Sequence, residues 1–373
     1  MSRSYAALFA LLFYADVDAQ QVTTFFDAVN HVDDALFLDP GGNLYGAHYT
    51  GSSVFKRTPD GTVTTFVSGM NTPNGIAMNS LGEFYIADNV GDRIYKVAND
   101  GSPLDTIPIN GPSGLLKEWD SDTILFTTYQ PSSLGKLAPD GSIEITHTGA
   151  PLNGPVGLAY TEDGTLYTGN FTDRQVYRVL TASVEYVATV PGPASGVLGF
   201  ITSAGSVLYG TGWNTHTIYG VDPAYTDSVW VLAGGNGQGD LDGGVDVAQF
   251  NQPNGILASS NGDTIYVSDF ATKNIRMITG VRTGLHGSGA VELLQGYPNP
   301  TTGDLLLSGD LFSKGQAIWS IRGLDGALVD EGVFVVPDRS TGAVLPTNRL
   351  GAGLYSVEVL AKQYRGVLLF KKE

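Results

Sequence analysis

An aromatic residue returns at the end of a short apolar run six times along this chain. The positions are Tyr45, Tyr85, Phe126, Tyr167, Tyr209 and Tyr266, at intervals of 40, 41, 41, 42 and 57 residues. A period of about 40–45 residues with several strands per unit is the mark of a β-propeller, in which each repeat is one four-stranded sheet. The repeats over 37–66, 77–107 and 159–188 share one layout. A short apolar strand leads into a turn at Gly42, Gly82 or Gly164. A second strand then ends at the aromatic, and a polar loop follows. The third strand carries an apolar–aromatic pair (Val54-Phe55, Ile94-Tyr95, Val176-Tyr177), and a more polar fourth strand closes the unit. Units begin near Leu36, Gly75, Gly114, Gly157, Gly196 and Gly255, which predicts an all-β, six-bladed β-propeller over 20–283.

The sixth unit stops after its third strand, Asn274 to Ile278, and 284–294 reads as a linker. The missing strand is expected from the chain start. Val22-Thr23-Thr24-Phe25-Phe26 resembles Val63-Thr64-Thr65-Phe66-Val67, the fourth strand of the first unit. Residues 21–27 are therefore expected to complete blade six and cover its open edge. An N-terminal strand unrelated to the ring is the alternative.

The chain carries 49 Gly and 18 Pro, residues that helices tolerate poorly, which agrees with a turn-rich β protein. There is no Cys, so disulfides, thiolate metal sites and Cys nucleophiles are excluded. A formal charge of −17 repels polyanions, so nucleic acid is not an expected partner. Residues 1–19 read as a signal peptide. Arg3 precedes an apolar run from Ala6 to Ala15, and Val17-Asp18-Ala19 suits cleavage before Gln20. That run is too short to span a bilayer, which takes about 20 residues, and no transmembrane segment is expected elsewhere.

Residues 233–278 carry the most specific text: AGGNGQGDLDGGVDVAQFNQPNGILASSNGDTIYVSDFATKNIRMI. This closely resembles the NHL repeat, with its G-x-x-G-x-x-D-G insertion, A-x-F, P-x-G-I and Y-V-x-D ending in I-R. The resemblance implies a six-bladed propeller, agrees with the count above, and explains the 57-residue interval. Residues 295–373 lose the period and read as a small antiparallel, Ig-like β-sandwich. The Y-P-N-P-T-x-G start, the L-x-x-G-x-Y-x-V-x-V core and the short basic end also resemble the C-terminal sorting domain of the type IX (Por) secretion system of the Bacteroidota. That resemblance implies the type IX machinery as a partner and an extracellular or outer-membrane-surface location in a Gram-negative bacterium.

In a four-stranded blade the start of the first strand and the end of the second lie on one face, so two rings of side chains should converge there. The first-strand ring is Asp34, Asn74, Ser113, Val156, Ser195 and Asn254, and the second-strand ring is His48, Asp88, Tyr129, Asn170, Trp213 and Asp269, with His216 just beyond. Oxygens of Asp34, Asn74 and Asn254, from three blades adjacent in a closed ring, form a candidate Ca²⁺ site. The regucalcin/gluconolactonase family resembles this arrangement at Asn74-Gly75 and Asn254-Gly255. It departs at the early Glu motif, where only Asp33-Asp34 stands, and at Ser113, Val156 and Ser195. P-N-G is equally a turn signal, which makes both Asn structural. The second-strand ring and His216 form a candidate ligand site, with aromatics for stacking and His for acid–base work, whereas Asp88 and Asp269 also suit a loop-bonding role. Asp240, Asp242 and Asp246 only loosely follow a calcium loop.

Two functions follow as expectations. The first is a secreted binding module for a glycan, peptide or protein. The second is a calcium-dependent hydrolase of the lactonase or esterase type. Whether the chain is an enzyme stays open at this stage.

Overall fold

A computed structural model of the chain describes residues 20–26, 32–281, 294–309, 312, 317–323, 328–334, 342–361 and 364–373. The expected signal peptide and nearly all of the expected linker lie outside them. The chain falls into two compact units, 1–285 and 286–373.

Among the described residues the first unit contains six antiparallel sheets. Their first strands are Leu36–Leu38, Pro73–Met78, Pro112–Lys117, Pro155–Tyr160, Leu198–Ala204 and Pro253–Ala258. Each of these packs against the first strand of the next sheet, and the last returns to the first, which closes the ring. First and second strands are sandwiched between neighbouring sheets and are buried on both faces, as in Phe84–Asp88. Fourth strands face outward and tolerate polar residues, as in Pro103–Pro108.

The recurring aromatics are inter-sheet packing. Tyr45 of the first blade lies with its ring centroid 4.6 Å from Phe84 of the second and 4.9 Å from Phe66 of its own. In the third blade Leu125, not Phe126, holds this place. Leu116 pairs with Leu125 as Ala77 pairs with Tyr85, while Phe126 corresponds to Ile86. A single-residue slip in a strand reverses the face of every side chain.

The chain start closes the ring. Gln21–Phe26 runs antiparallel to Asn274–Thr279, with Val22 opposite Ile278 and Thr24 opposite Arg276. Val22 is fully buried beside Phe250 and Ile278. The insertion ahead of the sixth first strand clasps this seam. Gly243–Gly244 pairs with Gln21 and Val22 on the outer side. Arg276, fully buried, donates to Gln249 O at 2.6 Å, Leu241 O at 3.1 Å and Asp242 Oδ1 at 2.6 Å, and Thr24 Oγ1 donates to the same carboxylate oxygen at 3.1 Å.

The N-G pairs are not turns. Asn74-Gly75 and Asn254-Gly255 lie inside strands, and neither glycine has a positive φ. They are glycine because the first strands of adjacent blades touch backbone to backbone. A Cβ on Gly75 would lie 2.2 Å from Ser113 O, one on Gly114 would lie closer still to Val156 O, and one on Gly255 would lie 2.1 Å from Asp34 O. The motif therefore sets the width of the channel.

The second unit has two antiparallel sheets. One orders Gln295–Tyr297, Leu305–Ser308 and Gly342–Leu345. The other orders Leu328–Phe334, Ala317–Gly323, Gly353–Ala361 and Tyr364–Lys372. Both contribute to one core that includes Leu305, Leu307, Trp319, Phe334, Leu345, Val357 and Phe370.

Candidate functional site

Where the first strands begin and the second strands end, the propeller channel opens into a cavity of about 210 Å³. Its floor comes from the residue that precedes the tightly packed glycines in blades two, three, four and six, and from Asp34, which precedes Ala35, in blade one. Asp34, Asn74, Ser113, Val156 and Asn254 all line it, as expected. The fifth blade differs. Leu198 pairs with Gly212 as Pro73 pairs with Asp88, so Gly199 holds the floor position and Phe200 lines the cavity beside it. Ser195 lies outside the strand and is exposed. The slot admits only glycine, since a Cβ on Gly199 would lie 2.3 Å from Thr211 Oγ1 and 2.6 Å from Asn254 O.

The floor is therefore polar on one side and apolar on the other. Asn254, Asp34, Asn74 and Ser113 come from four consecutive blades around the closed ring, with Val156 and Phe200 opposite. Asn254 Nδ2 donates to Asp34 Oδ1 at 3.0 Å. Asp34 Oδ2, Asn74 Oδ1 and Ser113 Oγ are buried with no hydrogen-bond partner among the described residues. These residues are 1%, 6% and 0% exposed. Burial, reinforced by the neighbouring Asp33, holds the Asp34 carboxyl well above the usual carboxylate range, against the opposing pull of the Ala35 backbone and Lys273.

Asp33 is differently placed. It accepts from Tyr49 N at 2.6 Å, Thr50 Oγ1 at 3.0 Å and Lys273 Nζ at 2.6 Å. The Lys273 ammonium also lies 4.1 Å from the centre of the Phe270 ring. Asp33 is thus bonded and ion-paired, whereas Asp34 has only the neutral donors Asn254 and Ala35 and keeps Oδ2 open.

The walls come from the residue just after each second strand, or one further on in blade one: Tyr49, Asn89, Tyr129, Phe171, Trp213 and Phe270. Five of the six are aromatic. Tyr129 meets Phe171 edge to face at 5.8 Å, and Trp213 lies 4.4 Å from Phe270. Burial, with Asp34, Tyr129 and Asp33 adding to it, raises the Tyr49 phenol.

Of the ligand-site residues expected from sequence, Tyr129 and Trp213 line the cavity. His48, Asp88, Asn170, Asp269 and His216 do not, and they belong mainly to the row one residue earlier, where they anchor loops. Asp88 accepts from Asn71 N, Thr72 N and Gly91 N at 2.9, 2.8 and 3.0 Å. Asp269 accepts from Asn251 N at 2.8 Å and Thr272 Oγ1 at 3.2 Å, and burial pushes it up to about 7. Asn170 Nδ2 donates to Pro151 O at 2.9 Å. His216 Nδ1 accepts from Gln252 N at 3.1 Å, and burial lowers its pKa. The His48 ring lies 6.5 Å from Phe55 with Nε2 3.2 Å from Thr50 Oγ1. Sequence reasoning missed Tyr49, Asn89, Phe171, Phe200 and Phe270. The signal was present in the pairs His48-Tyr49, Asp88-Asn89, Thr128-Tyr129, Asn170-Phe171, Gly212-Trp213 and Asp269-Phe270.

Among the expected calcium ligands, Asp34 and Asn74 each present a free oxygen, but Asn254 turns its amide nitrogen to Asp34. No group of three or more His, Asp or Glu that could hold a metal occurs among the described residues. One carboxylate with a few neutral oxygens does not by itself complete a Ca²⁺ shell of six to eight ligands.

No protein-family model and no curated protein matches the sequence. Solved structures do match the fold. An auxiliary nutrient binding protein from Bacteroides ovatus superposes with a TM-score of 0.58 at 16% identity, over 70% of this chain and 76% of that one. A gluconolactonase from Xanthomonas campestris gives 0.54 at 16% identity, over 69% and 89%. Virginiamycin B lyase from Staphylococcus aureus gives 0.52 at 16% identity, over 70% and 99%. At these identities the likeness is one of fold.

Proposed function

We propose that this protein is a secreted or surface-attached binding module whose ligand is a small molecule held in the channel mouth. One observation carries the reading: three buried polar atoms without partners line an aromatic-walled cavity. Buried polar groups are nearly always hydrogen-bonded, and an unmade bond costs about 1–3 kcal/mol. A ligand that supplies those bonds and stacks on the rings recovers both terms. Solved neighbours named as nutrient binding proteins agree with this reading. Export by the type IX system, with 295–373 as the sorting element, belongs to the same proposal and rests on the C-terminal motifs.

The test is a thermal-shift screen of sugars, amines, alcohols and short peptides against the wild type and Trp213→Ala. The reading expects at least one compound to raise the melting temperature of the wild type and to lose most of that effect in the variant. Compounds that act equally on both would place the site elsewhere and refute it. A calcium-dependent lactonase or esterase is the second reading, favoured by the free oxygens of Asp34 and Asn74. It requires Ca²⁺ to raise the melting temperature and Asn74→Ala to abolish the rise.

A further inference from the structure

The polar half of the floor is rich in acceptors. When ionised, Asp34 Oδ2 accepts only, Asn74 presents its amide oxygen, and Ser113 Oγ can do either. These atoms belong to three residues from consecutive blades one, two and three that line one cavity. The local charges leave a single unit uncompensated. Lys273 is 2.6 Å from Asp33 and so answers that carboxylate, and His48 Nε2 lies 4.0 Å from the same carboxylate. Asp34 receives only neutral donors, the amide of Asn254 and the backbone of Ala35. A neutral ligand could bond to this floor, yet it would supply no counter-charge to an ionised Asp34, whereas a cation stabilises that form. The walls add a second preference, because the faces of Trp, Tyr and Phe attract cations.

We infer that the channel mouth takes the ammonium group of an organic amine, with its N–H groups on Asp34, Asn74 and Ser113 and its carbon skeleton among Tyr49, Tyr129, Phe171 and Trp213. The inference rests on the reading of this mouth as a small-molecule site and names the ligand class that site selects. An alkylammonium carries one charge and three donors, which matches one free carboxylate and three acceptors. A divalent metal ion would meet the same atoms but would make no use of the aromatic walls. The net charge of −17 adds a long-range attraction for cations of either kind.

The test uses 2-phenylethylamine, its neutral counterpart 2-phenylethanol, and CaCl₂ as separate probes in titration calorimetry of the mature protein. The wild type should bind the amine about tenfold or more tightly than the alcohol, one charge-assisted bond being sufficient for that ratio. Asp34→Asn, which keeps shape and removes charge, should abolish the preference and leave alcohol binding intact. Ser113→Ala should weaken the amine alone, and it serves if Asp34→Asn fails to fold. Equal affinities for amine and alcohol, unchanged by either variant, overturn the inference and leave the small-molecule reading standing. Calcium binding that depends on Asp34, with no amine binding, overturns it in favour of a metal site. If neither organic probe binds at millimolar concentration, both the inference and the reading beneath it fail.

Discussion

Gly75→Ala separates two accounts of the N-G motif by the sign of its effect. If Gly75 were only a flexible link with a permissive φ, alanine would lower the entropy of the unfolded chain and stabilise the protein by about 0.4–1 kcal/mol. The structure predicts the opposite. The new Cβ would sit 2.2 Å from Ser113 O and 2.6 Å from Leu115 N, where ordinary contact begins near 3.4 Å. Both neighbours are backbone, so no side chain can rotate away, and the first strands of blades two and three must part by roughly 1 Å. Overpacking of this kind costs about 1–3 kcal/mol, and rigid neighbours put the cost at the upper end. After the entropic gain is subtracted, the net loss is about 2 kcal/mol. For a unit of this size that is a fall in melting temperature of about 4–8 °C. Gly303→Ala, in the second unit, whose Cβ would meet nothing within 4 Å, should leave the melting transition of the first unit unchanged. Calorimetric melts of the three proteins decide the matter. An unchanged or raised melting temperature for Gly75→Ala would refute the claim that inter-blade contact, not turn geometry, selects this glycine.

Asp242→Ala should cost about 3 kcal/mol, because it leaves the fully buried Arg276 guanidinium without its carboxylate; urea unfolding measures this, and a loss below 0.5 kcal/mol would remove the insertion from the seam. Stability should fall between pH 4 and 7, since Asp269 keeps in the folded chain, up to about 7, a proton that the unfolded chain has released near 4. The full effect is about 4 kcal/mol, and Asp269→Asn should flatten that part of the pH–stability curve. Val22→Ala, at a fully buried position in the closing strand, should cost about 2 kcal/mol, whereas the same change at exposed Val90 should be nearly silent in a denaturant melt. Deleting 295–373 should trap the protein inside a type IX-competent host and leave the melting transition of the first unit in place; secretion of the truncated chain would remove the sorting role.

The sixfold aromatic period was legible because inter-blade packing demands a large ring at the same place in nearly every sheet. The strand exchange at the seam was legible for a similar reason. Val22 to Phe26 must satisfy the same environment as Val63 to Val67, and it repeats the text. The floor residues Asn74 and Asn254 were found through the glycines that follow them, and Asp34, which precedes Ala35, through its place at the start of the first unit; the reason for those glycines is close contact between strands and not a turn. The wall was read one residue early. A strand alternates faces, and the polar His48, Asp88, Asn170 and Asp269 at the strand ends drew attention from Tyr49, Asn89, Phe171 and Phe270 beside them. In blade three, counting from Phe126 instead of Leu125 offset the ring by one and so reached Tyr129. In blade five the count ran four residues on from Tyr209, the spacing that also separates Tyr45 from Tyr49 and Tyr266 from Phe270, and so reached Trp213. The contrast between a paired Asp33 and an open Asp34 depends on Lys273, some 240 residues away, and no local pattern conveys it.

A diffraction map of crystals soaked in 2-phenylethylamine bears most directly on the role of the channel mouth. The account predicts the amine nitrogen within about 3 Å of Asp34 and Ser113 oxygens, with its ring between the aromatic walls. A mouth filled only by water while the amine sits elsewhere on the molecule, or a metal ion bound by Asp34 in its place, would contradict it.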